Sequence, residues 1–558
     1  MIKTKFVSSL EKALIEEKIE DYAPLSKISA LRGERLSVQL LHTFEYELDS
    51  DPKSRSSCFA KLTCEGELAK YATFRDVCNI PISRPVLEKA VDDNDYVSKR
   101  PGLFPDLLRP LHYGSTVCCA PRLLGSVWVE IDIPKELEAG EYELKIKLDA
   151  EEKGASESSV KIEVIAATLP DEDIYFTNWF HCDCLSEYYN VEAWSERHWE
   201  IIESFARSAV RAGINMLLTP VFTLALDTAP GGERPTTQLV GVKKDGGVYS
   251  FDFALLDRWV DMCDKVGIKY LEISHLFTQW GAAHAPKVMA TVDGEYKKIF
   301  GWETEAAGEE YSSFLRAFLK AFLAHMKKRG DDKRCFFHIS DEPNVKHLES
   351  YKAAKAVVED LLADYPIMDA LSSYDFWKLG LLKTPIPSSN HIAPFLEAKV
   401  PDLWTYYCTS QCQKVSNRFV QMTSWRNRSI GFQMYKYNIV GFLHWGFNFY
   451  FNWHSGDLIN PYIQQDGDGW IQPGDAFLVY PGTKGEALES IRLMVFYEAL
   501  QDMKAMKLCE KLYGKETVVN LIDNTIGTDV TFDTCAKSAD QILLLREKIN
   551  KLIKDKIG

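Results

Sequence analysis

The sequence predicts a mixed α/β protein: a (β/α)8 TIM barrel preceded by an N-terminal β-sandwich, with a C-terminal helical tail. Three observations predict it. Alternating, β-branched segments dominate residues 1–167. Short apolar runs then alternate with amphipathic helices over residues 168–485, and residues 486–558 are helical and charged. These changes of texture set the bounds of three domains.

In the first block a short helix is expected before the strands. SVWVEIDIP (residues 126–134) alternates and is β-branched, ELEAG turns, EYELKIKLDA alternates again, and SSVKIEVIAA supplies a further strand. Two packed sheets bury such a run of strands. TLPDED (residues 168–173), with its proline and acids, reads as the linker.

The second block supplies eight candidate strands. They are IYFTNWFH from Ile174, NMLLTPVF from Asn215, IKYLEISHL from Ile268, RCFFHIS from Arg334, PIMDALSS from Pro366, TPIPSS from Thr384, DLWTYYCT from Asp402 and GFLHWGFN from Gly441. Helical stretches such as WSERHWEIIESFARSAVRAG and YSSFLRAFLKAFLAHMKKRG lie between them, the latter ending on Lys, Arg and Gly, a stop signal. Strand count and length favour the barrel over a doubly wound sheet. The tail, ending LLLREKINKLIKDKIG, is expected to pack on the barrel.

Composition narrows the function. Hydrophobic residues make up 46% and charged residues 26%, the balance of a globular protein. A net charge of -15 argues against nucleic acid or anionic membrane as partner, since both reward basic patches. The N-terminal stretch lacks the uninterrupted apolar core of a secretory signal, and no segment approaches the roughly 20 apolar residues of a membrane span. The 13 cysteines are scattered rather than patterned, which fits reduced thiols and a cytoplasmic enzyme. Oligomeric state has no signature in the sequence.

In a barrel, catalytic groups come from the C-terminal ends of the strands. The first strand ends in Trp179, His181 and Asp183; the third in His275, followed by Gln279 and Trp280. The fourth ends in HISDEPN, with Asp341 and Glu342 before Pro343. The seventh carries Trp404, Tyr406 and Tyr407, and the eighth ends in HWGFNFYFNWH, with Trp445, Asn448, Trp453 and His454. Aromatic faces stack on the C–H faces of pyranose rings while Asn, His and Asp fix hydroxyls, so the expected partner is a glycan. Phe337, Phe442 and Phe447 read as barrel filling.

Asp341 and Glu342 are the candidate catalytic pair. A carboxylate ending a buried strand is costly unless partnered or working, and two in succession raise one another's pKa. The alternative is a helix N-cap, with Asp341 or Asn344 capping VKHLESYKAAKAVVEDLL; a cap explains one acid, not both. Adjacency also constrains mechanism. In an ordinary retaining glycosidase the acid and nucleophile flank the scissile bond about 5–5.5 Å apart. Neighbouring residues, with Cα atoms about 3.8 Å apart, approach from one side. A substrate 2-acetamido group that supplies the nucleophile removes the difficulty.

HISDEPN, DLWTYYCTS, the NRF of Asn417 to Phe419, YKYNIVGFLHWGFNFY, and PGDAFLVYPG followed by SIRL resemble glycoside hydrolase family 123. PGLFPDLL and SVWVEIDIP also resemble it, and the likeness runs over residues 102–500. The closest resemblance is to its clostridial-type cytoplasmic members. It implies a β-sandwich before a (β/α)8 barrel and an exo-acting, retaining β-N-acetylgalactosaminidase that releases terminal β-GalNAc from the glycans of glycosphingolipids. By match to the Asp-Glu motif it implies Glu342 as general acid/base and Asp341 as the residue orienting the acetamido group.

Neither a cofactor nor a metal is expected. His181-Cys182-Asp183-Cys184 lacks the second ligand motif of a zinc site, and Asp466, Asp468 and Gly469 lack the later acid of a calcium loop. Asp475 reads equally as a turn residue or a contact to substrate hydroxyls. Two other functions remain open: a retaining glycosidase for another sugar with a separate nucleophile such as Glu272 or Asp183, and a carbohydrate-binding protein without catalysis.

Overall fold

Alternation in the first block builds two five-stranded sheets. One runs Ile2–Ser8, Arg35–Phe44, Gly125–Asp132, Ala72–Ile82, Gly102–Pro110, all antiparallel. The other runs Lys27–Arg32, Ala155–Thr168, Gly140–Asp149, Cys58–Glu65, Thr116–Cys119, with only the first pair parallel. The computed structural model describes residues 1–46, 56–86 and 95–557. Val127, Val129 and Ile131 of the first sheet meet Leu144, Ile146 and Leu148 of the second in one core. The intervening Trp128, with Val77 and Phe104, faces the other way and joins the core of the rest of the chain. A sheet covered on both faces explains why Arg35–Phe44 is buried almost without alternation.

The short helix expected ahead of these strands is not formed. Ile2–Ser8 is a strand, paired along its whole length with Arg35–Phe44, and only a three-residue 3-10 turn, Ile19–Asp21, follows. Pairing and burial of Phe6 and Val7 override the local preference.

The second block forms a parallel sheet ordered Cys335–Phe336, Tyr270–Ile273, Met216–Thr219, Tyr175–Asn178, Gly441–His444, Trp404–Tyr406. It takes in six of the eight expected strands. Met368–Ala370 and Thr384–Ile386 pair separately, in parallel. Single parallel bridges, Phe337 to Ile367 and Ser388 to Tyr406, connect that pair to the two ends of the larger sheet. Pro366, Pro385 and Pro387 lack N–H groups, which accounts for the thin hydrogen bonding there. Side chains from all eight segments meet in one apolar cluster.

The helices follow their sequence signals. Ser195 caps Glu196–Arg211 by accepting from His198 N, and Glu309–Arg329 stops at Gly330 with φ of 85°. Unanticipated is a small four-stranded sheet, Val248–Asp252, Gly241–Asp245, Val288–Val292, Glu295–Phe300, built from the connections on either side of the third parallel strand.

Three C-terminal helices follow, Ile491–Tyr513, Lys515–Ile526 and Ala539–Ile557. They bind the parallel sheet to the N-terminal sheets through buried ions. Arg492 clamps Asp106 at 2.9 Å with two nitrogens, and Arg546 reaches Glu34 at 2.6 Å and Asp502 at 2.9 Å. Arg211 meets Glu130 and Glu489, each at 2.6 Å, and Arg75 pairs with the same two acids. Lys12 donates to the carbonyls of Val420 and Met422, both at 2.7 Å, and burial lowers its pKa to about 7. Among the described residues no helix is long and apolar enough to cross a membrane.

Candidate active site

The acid pair stands where the fourth parallel strand ends. Its backbone is stapled to the end of the third strand: Trp280 N donates to Asp341 O at 2.9 Å and Ser340 Oγ to Thr278 O at 2.9 Å. Glu342 adopts a left-handed φ of 47°, a strain of about 1–3 kcal/mol that the surrounding structure must hold. The following turn, Val345–His347, is capped by Asn344, which accepts from Lys346 N at 3.0 Å. Capping therefore uses neither acid.

Asp341 and Glu342 both open onto a cavity of about 280 Å³. Glu342 Oε1 accepts from Tyr406 OH at 2.5 Å. Burial and the Glu342 charge push the Tyr406 phenol well above its usual range, so it remains a donor. Burial, then the neighbouring Glu342 charge, holds the Asp341 carboxyl well above the usual carboxylate range, with His338 opposing.

A fully buried ion chain lies beneath. His338 Nε2 donates to Glu272 at 2.7 Å and Nδ1 faces Asp369 at 3.3 Å. Burial lowers the His338 pKa, but hydrogen bonds to Asp369 and Glu272 outweigh it and hold it at about 9. Glu272 also accepts from Trp179 Nε1 at 2.8 Å and from Thr177, and Asp369 from Tyr351 OH at 2.7 Å. His275 stacks on His338 at 4.3 Å, and burial and that positive neighbour keep it neutral.

The remaining walls come from the first and eighth strand ends and their loops. Arg234 grips Asp183 through Nε at 2.7 Å and Nη2 at 2.8 Å, and Nη2 also meets His181 Nδ1 at 3.1 Å. His181 is kept neutral by burial and the Arg234 charge, and its Nε2 donates to Trp445 O at 2.8 Å. Asp475 Oδ2 accepts from Trp445 Nε1 and Thr409 N, both at 2.9 Å. Asp475 Oδ1 lies 3.2 Å from His444 Nε2 outside hydrogen-bond geometry and has no donor. Burial raises the Asp475 carboxyl to about 7.

Of the sequence candidates, Asp341, Glu342, Trp179, His181, Tyr406 and Trp445 line this cavity, as do Gln279, Trp280 and Asp475. Asp183 and Asn448 lie behind it, the first paired with Arg234 and the second bonded to the backbone N–H and C=O of His181. His275 backs Trp179 edge-on. Trp404, two residues before Tyr406, is stacked on Tyr175 at the opposite end of the apolar cluster. Tyr407 has the opposite register to Tyr406 and packs on Phe442 away from the cavity. Trp453 is 60% exposed on the rim. Arg234, Asp227 and Trp470 also line the cavity and belong to no recognisable motif; only the chain's excursions bring them there. Among the described residues no three His, Cys, Asp or Glu side chains gather as a metal site.

An acid pair opening on an aromatic-walled cavity at the C-terminal ends of parallel strands is the arrangement of an enzyme that cleaves sugars. Residues 179–509 match the model of the Glycoside hydrolase 123 catalytic domain. The chain belongs to glycoside hydrolase family 123. It is similar to a solved family 123 glycoside hydrolase from Clostridium perfringens, with a TM-score of 0.73 and 16% identity over 100% of this chain and 97% of that one. That structure concerned the details of glycolipid glycan hydrolysis, and at this identity the likeness speaks for the fold. A putative glycoside hydrolase from Bacteroides vulgatus aligns at 10% identity over 87% of this chain and 78% of its own, with a TM-score of only 0.29. No curated protein matches the sequence.

Proposed function

We propose that this glycosidase is a retaining exo-β-N-acetylgalactosaminidase that uses the substrate's own 2-acetamido group as nucleophile. The observation that carries the reading is the adjacency of Asp341 and Glu342 on one wall of the cavity, with Asp183 and Glu272, the acids at the first and third strand ends, otherwise engaged. Glu272 is fully buried with both oxygens bonded, and Asp183 is clamped by Arg234, so neither is open to an anomeric carbon. Asp475 lines the cavity with one oxygen already held by Trp445 Nε1 and Thr409 N.

In this mechanism the acetamido oxygen attacks the anomeric carbon as the bond to the leaving oxygen breaks, and Glu342 gives that oxygen its proton. Asp341 accepts the acetamido N–H, which favours its ionised form and leaves the pair's proton to Glu342. Water then attacks the oxazoline-type intermediate, Glu342 takes its proton, and the configuration is retained. Tyr406 OH holds Glu342 in place. Trp179, His181 and Trp445 surround the terminal sugar, and a cavity of about 280 Å³ suits one such residue. The glycans of glycolipids are the substrate class, supported by the subject of the C. perfringens structure.

The same proposal extends to architecture and place. Residues 1–167 form a β-sandwich, 168–485 a (β/α)8 barrel closed through the two single bridges, and 486–558 a helical extension. Described residues form no disulfide, which favours the cytoplasm.

Aryl β-glycosides of GalNAc, GlcNAc, galactose and glucose, offered to wild type, Glu342→Gln and Asp341→Asn, test the reading. We expect turnover of the GalNAc glycoside, a loss of about 10²–10⁴-fold in Glu342→Gln on a poorly activated leaving group, and a sharp loss in Asp341→Asn. Equal activity on galactose and GalNAc glycosides would exclude acetamido participation. Labelling of a carboxylate by a 2-fluoro glycoside would do the same.

A further inference from the structure

We propose that His338 is a positioning residue for the acid pair: a buried imidazolium, wedged between Glu272 and Asp369, that fixes the strand end carrying Asp341 and Glu342 and faces Asp341 with a positive charge. The role rests on the substrate-assisted reading above.

Counting donors places the protons. Glu272 Oε1 already accepts from the Trp179 indole N–H at 2.8 Å, and Asp369 Oδ1 from Ile339 N at 3.0 Å. His338 Nε2 meets the first oxygen at 2.7 Å, and Nδ1 meets the second at 3.3 Å. All three side chains are fully buried, so a contact without a proton would set lone pair against lone pair with no water to relieve it. Each contact therefore holds one proton. Imidazole is the stronger base, about 6.5 against about 4 for the carboxyls, so both protons belong to the ring. His275, stacked on it at 4.3 Å, is kept neutral and leaves the charge to His338.

The wedge reaches the pair by two routes. One is mechanical. Through Glu272 it holds the indole of Trp179, which lines the cavity. Through Asp369 it holds Ile339 N and, by Tyr351 OH at 2.7 Å, the helix Leu348–Val358 that follows the pair. The strand before the two acids and the helix after them are thus pinned to one side chain. The other route is charge. Asp341 faces Glu342 and Asp369, which favour its protonated form, and His338, which favours the ionised one. Elsewhere on the cavity wall Arg234 is clamped by Asp183 and His181 is neutral. Without the His338 cation the pair binds its protons up to higher pH, and Asp341 loses the ionised form that accepts the acetamido N–H.

The test follows kcat/KM for an aryl β-N-acetylgalactosaminide against pH in wild type and His338→Gln. The bell-shaped profile reports the pair's protons. We expect the bell to move to higher pH by about one unit in the variant, so that its loss on the acidic limb exceeds its loss at the optimum about tenfold. A fault of packing alone lowers the bell where it stands, and that result overturns the proposal. Should His338→Gln fail to fold, 15N NMR of the ring nitrogens in wild type decides. A histidine doubly protonated at pH 8, where an ordinary one is neutral, supports the imidazolium, and the lack of any such ring overturns it. Wild type that cleaves galactosides and GalNAc glycosides equally overturns the substrate-assisted reading and this role with it, an outcome read without any variant.

Discussion

Asp475 is buried with one oxygen held by Trp445 and Thr409 and the other without a donor. Its folded pKa, near 7, lies above the ordinary 3.8. The fold therefore binds its proton more tightly than the unfolded chain does. Its contribution is fully present below about pH 4 and is lost as pH rises towards 7, by about 4 kcal/mol at most. Asp475→Asn lacks this loss. Urea unfolding at pH 5 and pH 8 should show the variant gaining on wild type as pH rises; parallel profiles would refute the assignment. At this scale the acid pair was legible because two carboxyls ending an apolar run are conspicuous in one dimension. The ion chain under them was not. His338 acquires its charge from Glu272 and Asp369, which stand on two other strands, and nothing in HISDEPN announces either. Asn344 was weighed beside Asp341 as a cap, and geometry gave the cap to Asn344.

The elements around the cavity are fitted at glycine. A Cβ on Gly446 would lie 2.3 Å from Ala476 O, so only a bare backbone lets the eighth strand end pass the segment carrying Asp475. Gly446 O also accepts from Arg418 at 2.7 Å. Gly446→Ala should destabilise by about 1–3 kcal/mol and reduce turnover, since Trp445 and Asp475 would part; a variant with wild-type melting and rate would contradict the fit. Strands and helices were readable where periodicity and caps agree, as at Ser195 and Gly330. Two kinds of element were not. The Ile2–Ser8 strand depends on a partner 30 to 42 residues away, and the four-stranded insertion carries exposed polar residues on several of its strands. Tyr407 and Trp404 missed the cavity for a related reason: a strand's ends and register decide which of its aromatics face a site.

Across the whole molecule, cohesion comes from ions buried between regions that composition divides. Arg546 carries the charge of Ala539–Ile557 into contact with Glu34 and Asp502. Arg546→Met would strand Glu34, while Asp502 keeps Arg428, and we expect a loss of about 3–5 kcal/mol in urea unfolding with little change in KM. A change below 1 kcal/mol would show the pairing to be dispensable. The tail was read as packing on the barrel, yet it also joins the first sheets, because Asn550 bonds Ser29 Oγ at 2.9 Å. Such long reach leaves no trace in local pattern. It has a consequence for biosynthesis. Glu34 and Arg546 stand 512 positions apart, so the first sheets emerge from the ribosome with a buried-to-be acid lacking its counter-ion. Arg211 and Arg492 can reach Glu130 and Asp106 earlier, but Glu34 waits for its counter-ion until the Ala539–Ile557 helix is made. Sealing of the seam around Glu34 is therefore deferred until residue 546 has been made.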